Sequence, residues 1–295
     1  MRRNGNKIGR CLDLYSARFE TYDGRAFNFG YSHGVVFDIS PLTELDVEVA
    51  TSQGFQQVGA TVEGTSVGGI SRTIYGKIFQ NVIENKNKLL RVFTPFAKGK
   101  LYFNGKYFCE AVTQKTPALS VGGNFTKFSL MLFCPSPYWL KSNENTFTLG
   151  GFSKAFRLPI NYSKLHSFGI KNPSAFLNCK NNGTASVPFK VVFSTDFDVT
   201  NFGITNIYTL QKIKINDTIN SGERIEVYRD NGRLKVEKHS GETVTDIFSK
   251  LDEESDLFTM KIGDNVITAF AEDGLDNLKV EVSFSEAYSG VFDGM

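Results

Sequence analysis

The stretch Phe125-Thr-Lys-Phe-Ser-Leu-Met-Leu-Phe-Cys-Pro-Ser-Pro-Tyr-Trp139 changes character half-way. Phe128, Leu130 and Leu132 alternate with Lys127, Ser129 and Met131, the period of a strand with one buried face. Pro135 and Pro137 follow. Neither can donate a ladder hydrogen bond, so the strand must end or turn there. The only tryptophan of the chain, Trp139, comes next. Strand, Pro-x-Pro stop and aromatic anchor together predict the end of a first domain, with Trp139 in its core. The stretch describes architecture and offers no catalytic group.

Upstream, Lys100–Val112 reads as a hairpin, because Asn104-Gly105 supplies the positive φ angles of a two-residue type I′ turn. Asn85–Phe93 is the clearest helix. Asn85 or Asn87 caps it, Leu89, Leu90 and Phe93 share a face, and Pro95 limits its length. Nearer the start, Asp23-Gly24 separates the apolar runs Phe19–Tyr22 and Arg25–Phe29. Val35–Ile39 is a short strand stopped at Pro41, Leu45–Val49 alternates, and Ile70–Phe79 is strand again. Between them, residues 51–70 are rich in Gly, Ser, Thr and Gln. That run reads equally as a mobile loop or as a long hairpin that orders against a partner.

Downstream, residues 140–155 are polar and then glycine-bearing, as a linker would be. The expected domains are 1–145 and 146–295. Strands are expected at Ser186–Phe193 (with Pro188 marking an edge or bulge), Ile207–Ile215, Leu257–Met260, Val266–Phe270 and Leu278–Phe284. Glu223–Glu237 forms a hairpin through Asp230-Asn231-Gly232. Short strands separated by turns predict a β-sandwich. Whether Leu278–Phe284 stays in the sandwich or returns to the first domain is open.

Composition fits this mainly-β reading. The 27 Phe and 11 Tyr of the 295 residues favour strands, and the 27 Gly suit turns. The net charge of +2, from 33 bases and 31 acids, gives no footprint for strong nucleic-acid binding. The basic start, Arg2, Arg3, Lys7 and Arg10, is read as a solvated arm. Cys11, Cys109, Cys134 and Cys179 form no CxxC pair and suit buried, reduced thiols of a protein made in a cytosol. No secretory leader or membrane-spanning apolar run is visible. The Asn-x-Ser/Thr matches at Asn124, Asn161, Asn182 and Asn216 are therefore read as chance.

No catalytic set assembles. His33, His166 and His239 are isolated, and no nucleophile elbow, P-loop or HExxH is present. Asp252-Glu-Glu-Ser-Asp256 lacks the spacing and central Gly of a calcium loop and reads as a solvated loop. No cofactor and no metal is expected.

The order of these features resembles the phage distal tail protein family (Dit, the siphovirus-type tail component). The resemblance rests on Cys134-Pro-Ser-Pro-Tyr-Trp139, with Cys134, Pro135, Pro137, Tyr138 and Trp139 as its most specific residues. It continues through Gly222-Glu223-Arg-Ile, the turn at Gly232, Ser255-Asp-Leu-Phe258 and Gly263-Asp-Asn265. It runs from about residue 25 to 290 and lapses over 1–24 and 51–69.

The resemblance implies a split-barrel-like, ring-forming N-terminal domain with one short helix and a galectin-like C-terminal sandwich. It implies six copies in a ring joining a tail tube protein to a tail-tip hub protein. The sandwich would hold receptor-binding or other baseplate proteins, and DNA would pass through the channel without sequence-specific contact. It implies synthesis in the bacterial host cytoplasm and assembly into a virion tail or phage-tail-like particle, with no membrane partner. Residues 51–70, with Gly54, Phe55, Gly64, Gly68 and Gly69, are then the candidate assembly loop bridging neighbouring subunits or the tube. Deletion of 55–68 is expected to abolish assembly. A carbohydrate-binding module for host cell-wall recognition is the alternative. A cell-wall hydrolase is disfavoured, because no catalytic constellation is visible.

Overall fold

A computed structural model describes residues 15–150, 152–154, 169–171, 176–230, 232–256 and 258–291, with 152–154 and 169–171 as backbone. Expectations placed on Arg2, Arg3, Lys7, Arg10, Cys11, Asn161, His166, Asn231 and Leu257 lie outside these residues.

The described chain is mainly β, with one α-helix. In order come β1 (Ala17–Thr21), β2 (Ala26–Phe29), β3 (Val35–Ser40), β4 (Val47–Ser52), β5 (Thr61–Val67), β6 (Ile70–Ile78), α1 (Val82–Val92), β7 (Lys98–Phe103), β8 (Tyr107–Gly122), β9 (Phe125–Cys134) and β10 (Trp139–Lys141). There follow β11 (Asn145–Leu149), β12 (Phe152–Lys154), β13 (Gly169–Lys171), β14 (Leu177–Asn178), β15 (Lys190–Thr195), β16 (Val199–Asn206), β17 (Lys212–Ile219), β18 (Glu223–Asp230), β19 (Arg233–Ser240), β20 (Thr243–Asp246), β21 (Val266–Asp273), β22 (Leu278–Phe284) and β23 (Ala287–Tyr288). The chain divides into two compact units. One runs to Asn143 and resumes at Ala287; the other is Glu144–Glu286. No helix among the described residues is long and apolar enough to cross a membrane.

The first unit is built on a nine-stranded sheet ordered β2-β1-β7-β8-β9-β6-β3, with β10 pairing β8 and β23. β9 lies near its middle, between β8 and β6, and its alternation decides its packing. Thr126, Phe128, Leu130, Leu132 and Cys134 are buried, while Lys127, Ser129 and Phe133 are exposed. β9 ends at Cys134, immediately before Pro135. Helix α1 covers the apolar face through Leu89 and Val92, with Phe93 just beyond its end. Phe93 stacks on Phe19 at 4.8 Å and meets the edge of Phe27 at 6.2 Å.

Several boundaries differ from expectation. The helix begins at Val82, preceded by Asn81 in the left-handed region (φ 45°), so neither Asn85 nor Asn87 caps it. Asn85 instead donates its amide to the carbonyls of His33 (3.1 Å) and Gln80 (2.9 Å). Leu90 faces out and Val92 takes its place in the core, because Leu89, Val92 and Phe93 fall at i, i+3 and i+4. Asn104 and Gly105 do take positive φ, but Phe103 pairs with Tyr107, leaving Lys106 as an extra residue in the turn. Residues 140–155 are not a free linker. They contain the end of β10, all of β11 and the backbone of β12.

The second unit contains a six-stranded sheet, β11-β22-β15-β18-β19-β20, and a four-stranded sheet, β14-β21-β16-β17. Phe193 of β15 meets Phe202 of β16 edge-on at 5.1 Å, and both are fully buried. The predicted hairpin is β18–β19, with Asp230 opposite Arg233. Leu278–Phe284 stays in this unit, central between β11 and β15. The chain then turns back, and β23 joins the first unit.

Three expectations fail here. Ile207–Ile215 is a turn followed by β17, since Asn206 accepts the amides of Tyr208 and Thr209 on its side-chain oxygen and closes the chain on itself. Pro188 marks no edge: the strand starts after it, at Lys190, and is central. Among the described residues 258–260 of the expected strand Leu257–Met260, Met260 makes only an isolated bridge to Val187.

Candidate functional site

The segment after β9 folds around one tryptophan and one arginine. Trp139 is fully buried and donates its indole N–H to the Leu42 carbonyl at 3.2 Å. The Arg72 guanidinium lies over its ring, 4.5 Å from the centroid. Arg72 is fully buried, which a charge tolerates only when hydrogen-bonded. It donates to the carbonyls of Pro137 (2.8 Å) and Pro41. No local pattern announces this role, because Arg72 sits in an ordinary strand. The two prolines have no N–H of their own, but their carbonyls are the acceptors.

This clasp fixes the base of the candidate assembly loop. Pro41 and Leu42 lead into β4, and Arg72 follows β5 on the return path. Gly69 permits the approach on that side. A Cβ there would lie 2.6 Å from the Phe133 ring and 3.0 Å from the Cys134 carbonyl. Cys134, Pro137 and Trp139 are thus buried parts of the clasp, Tyr138 is half-buried, and Pro135 is exposed.

From this base β4 and β5 project as a two-stranded sheet of their own. The run 51–70 is therefore a hairpin. The alternation of Leu45–Val49 does not bury a face: Val47 and Val49 are half exposed, because β4 pairs only with β5. Phe55 (96%) and Val58 (102%) stand free at the tip. Gly64 and Gly68 have open space around them, while a Cβ on Gly54 would lie 3.3 Å from Gln57 Oε1. The positive-φ positions of the tip are Gln56 (φ 61°) and Gly59 (φ 88°), neither of them among the candidate assembly residues.

Cys109, Cys134 and Cys179 are buried free thiols. The strand pairing brings Cys109 Sγ to 3.6 Å from Cys134 Sγ. Hydrogen bonding to Cys134, then burial, pushes the Cys109 thiol well up. The same bond, with Arg72 nearby, holds the Cys134 thiol down. Burial pushes Cys179 up to about 12.

The second-unit motif residues serve turns and do not converge on one site. Gly222 and Gly232 take φ of 82° and 78° in turns. Gly263 (φ 90°) precedes Asn265, which is buried and donates to the carbonyls of Lys261 (2.8 Å), Cys179 (3.2 Å) and Gly263 (3.2 Å). Asp252 is not merely solvated. It accepts from Asn216 and the Glu254 amide, and lies 3.5 Å from Lys214 Nζ. Among the described residues, no group of three or more His, Cys, Asp or Glu could hold a metal ion.

Glu223 accepts the Asn220 amide at 2.9 Å and pairs with Lys238 at 3.1 Å. Burial acts to raise its pKa, but these bonds outweigh it and hold the carboxyl below the usual 4.5. Glu226 behaves alike: burial raises it, and Lys190 at 2.7 Å with His239 and Arg224 more than offsets that. Both pKa values are depressed by folding, so the unfolded state binds more protons in acid. The stabilisation is complete above about 4.5 and is lost as pH falls through the folded values. The melting temperature of the second unit is expected to drop below that pH. Glu223→Gln should flatten the drop, measured as Tm against pH; an identical slope would contradict the assignment.

The fold defines a class, a mainly-β chain of two compact units. Residues 182–288 match the family model of the siphovirus-type tail component, C-terminal domain. Over most of its length the chain has the fold of the SPP1 Dit (gp 19.1) protein, described as a paradigm of the hub adsorption apparatus in phages infecting Gram-positive bacteria. That likeness has a TM-score of 0.66 at 12% identity and covers 93% of this chain and 99% of the other. A chain of the phage P2 baseplate, in its activated conformation with Ca, matches with a TM-score of 0.52 at 12% identity over 94% and 99%. No curated protein matches the chain in sequence. The second unit is thus similar to the siphovirus-type tail component domain, and the chain has the fold of the SPP1 Dit protein, in keeping with the resemblance of the motifs.

Proposed function

We propose that the protein is a structural component of a phage or phage-like tail tip, forming a six-fold ring that joins the tail tube to the tail-tip hub. The carrying observation is the β4–β5 hairpin, which exposes apolar side chains among acids, is unburied in its own chain and is clamped at both roots. In this reading domain 1–145, completed by β23, builds the ring, and domain 146–295 projects outward to hold receptor-binding or other baseplate proteins. DNA passes through the channel without sequence-specific contact, and neither catalysis nor a cofactor is needed. The chain is made in the host cytoplasm and functions in the virion tail or a phage-tail-like particle.

Light scattering with negative-stain imaging of the purified chain tests this. A closed six-fold ring with a central hole, single or stacked back to back, is the expected result. A strict monomer, alone and with tube protein added, would refute the ring. If that monomer also bound cell-wall glycan, it would act as a carbohydrate-binding module.

A further inference from the structure

Charge in the first unit is divided sharply. The arm 42–71 carries four acids, Glu44, Asp46, Glu48 and Glu63, and before Arg72 no base. The remainder of the described first unit, 15–41 and 72–143, carries thirteen bases against five acids. The arm's acids are exposed and meet hydroxyls rather than cations: Glu48 accepts from Ser66 at 3.4 Å and Glu63 accepts from Ser52. Among these acids lie the exposed apolar side chains Val47, Val49, Phe55, Val58 and Val62.

The opposite character appears on the outer side of α1. Ile83 (73% exposed) and Leu90 (43%) are seven residues apart and lie on one stripe, turned away from buried Leu89 and Val92. Phe96, 83% exposed, follows the helix. Of the three bases of the helix, Lys86 and Arg91 flank the stripe, and Lys88 lies toward the far side with Glu84. Among the described residues no ion pair engages any of the three. One surface is therefore apolar and acidic, the other apolar and basic. Each is uncovered within its own copy.

We propose that the β4–β5 hairpin of one copy docks on the outer face of α1 of the next copy of this chain. The apolar side chains would supply the buried area, and the opposite charges would set orientation and speed encounter. Two different patches on the same chain make a heterologous, head-to-tail contact, which closes a ring when the rotation closes. The inference rests on the ring reading for its closure, but the contact itself is separately testable.

The test uses full-length chains, native mass spectrometry and light scattering at low salt. One variant carries Glu44→Lys, Glu48→Lys and Glu63→Lys; the other carries Lys86→Glu and Arg91→Glu. Four of these five positions are exposed and Lys86 is half-buried, and unchanged circular dichroism verifies the fold. Each variant alone should self-associate about tenfold more weakly or worse, because its hairpin and helix now repel. An equimolar mixture should recover wild-type association, with the two variants alternating. Recovery as dimers or open chains would retain the contact and refute the ring. Variants that assemble like the wild type, or a folded mixture that does not recover, would overturn the contact. A wild-type chain that stays monomeric up to millimolar concentration would overturn it too.

Discussion

Trp139→Ala is expected to destabilise the first unit by about 3–5 kcal/mol, the range for removing a large buried aromatic. The indole is fully buried and packs on Phe103 at 5.9 Å. Its loss also uncovers the buried Arg72, whose cation–π contact contributes on the order of 2 kcal/mol when desolvated. Leu42 loses a donor at the base of the hairpin. Arg72→Lys should be costly as well, since an ammonium cannot span two carbonyls as a planar fork does. Trp139 is the only tryptophan, so in Arg72→Lys its fluorescence reports unfolding of the first unit separately from the second. For Trp139→Ala the readout is chemical denaturation followed by circular dichroism. A loss under about 1 kcal/mol in both variants would mean that the clasp is incidental to the fold.

The sequence showed what depends on near neighbours. The alternation of β9 placed Phe128, Leu130 and Leu132 correctly, and Asx-Gly pairs located the turns after β1, β7 and β18. What it hid depends on distant partners. Trp139 pairs with Tyr288, and Leu140 with Ala287, from the far end of the chain. Nothing near either stretch announces that. Arg72 looked like strand surface and is core, because two proline carbonyls and a ring complete its environment. β16 was missed because its ladder slips between Thr200 and Phe202, with Asn201 at positive φ, so period-two alternation breaks within it. Leu45–Val49 shows the reverse error. Its alternation is genuine, but no second layer covers it. Periodicity predicts a face suited to burial, not that this chain buries it. That distinction made the assembly loop legible as a run of unusual composition and left its form open.

Replacing Val47–Val67 with a short Gly-Ser connection is expected to abolish assembly while changing the stability of the first unit by no more than about 0.5 kcal/mol, the scale of surface changes. Val47 and Val67 are paired neighbours, so a short connection spans the gap without strain. β4 is exposed along its whole length and β5 everywhere but half-buried Val67, and none of their residues belongs to the core cluster. A lone two-stranded hairpin is marginal in water, and its open edges invite pairing. An exposed apolar arm of this kind has no internal work to do, so its loss should be felt between molecules. Deleting only 55–68 is the poorer experiment. It removes β5 and leaves β4 as an unpaired strand, where aggregation could be mistaken for failed assembly. Thermal melts and sedimentation velocity on the full replacement separate the two effects. Normal rings from a stably folded replacement would remove the hairpin from the assembly surface, and a large fall in stability would show that it supports its own chain instead.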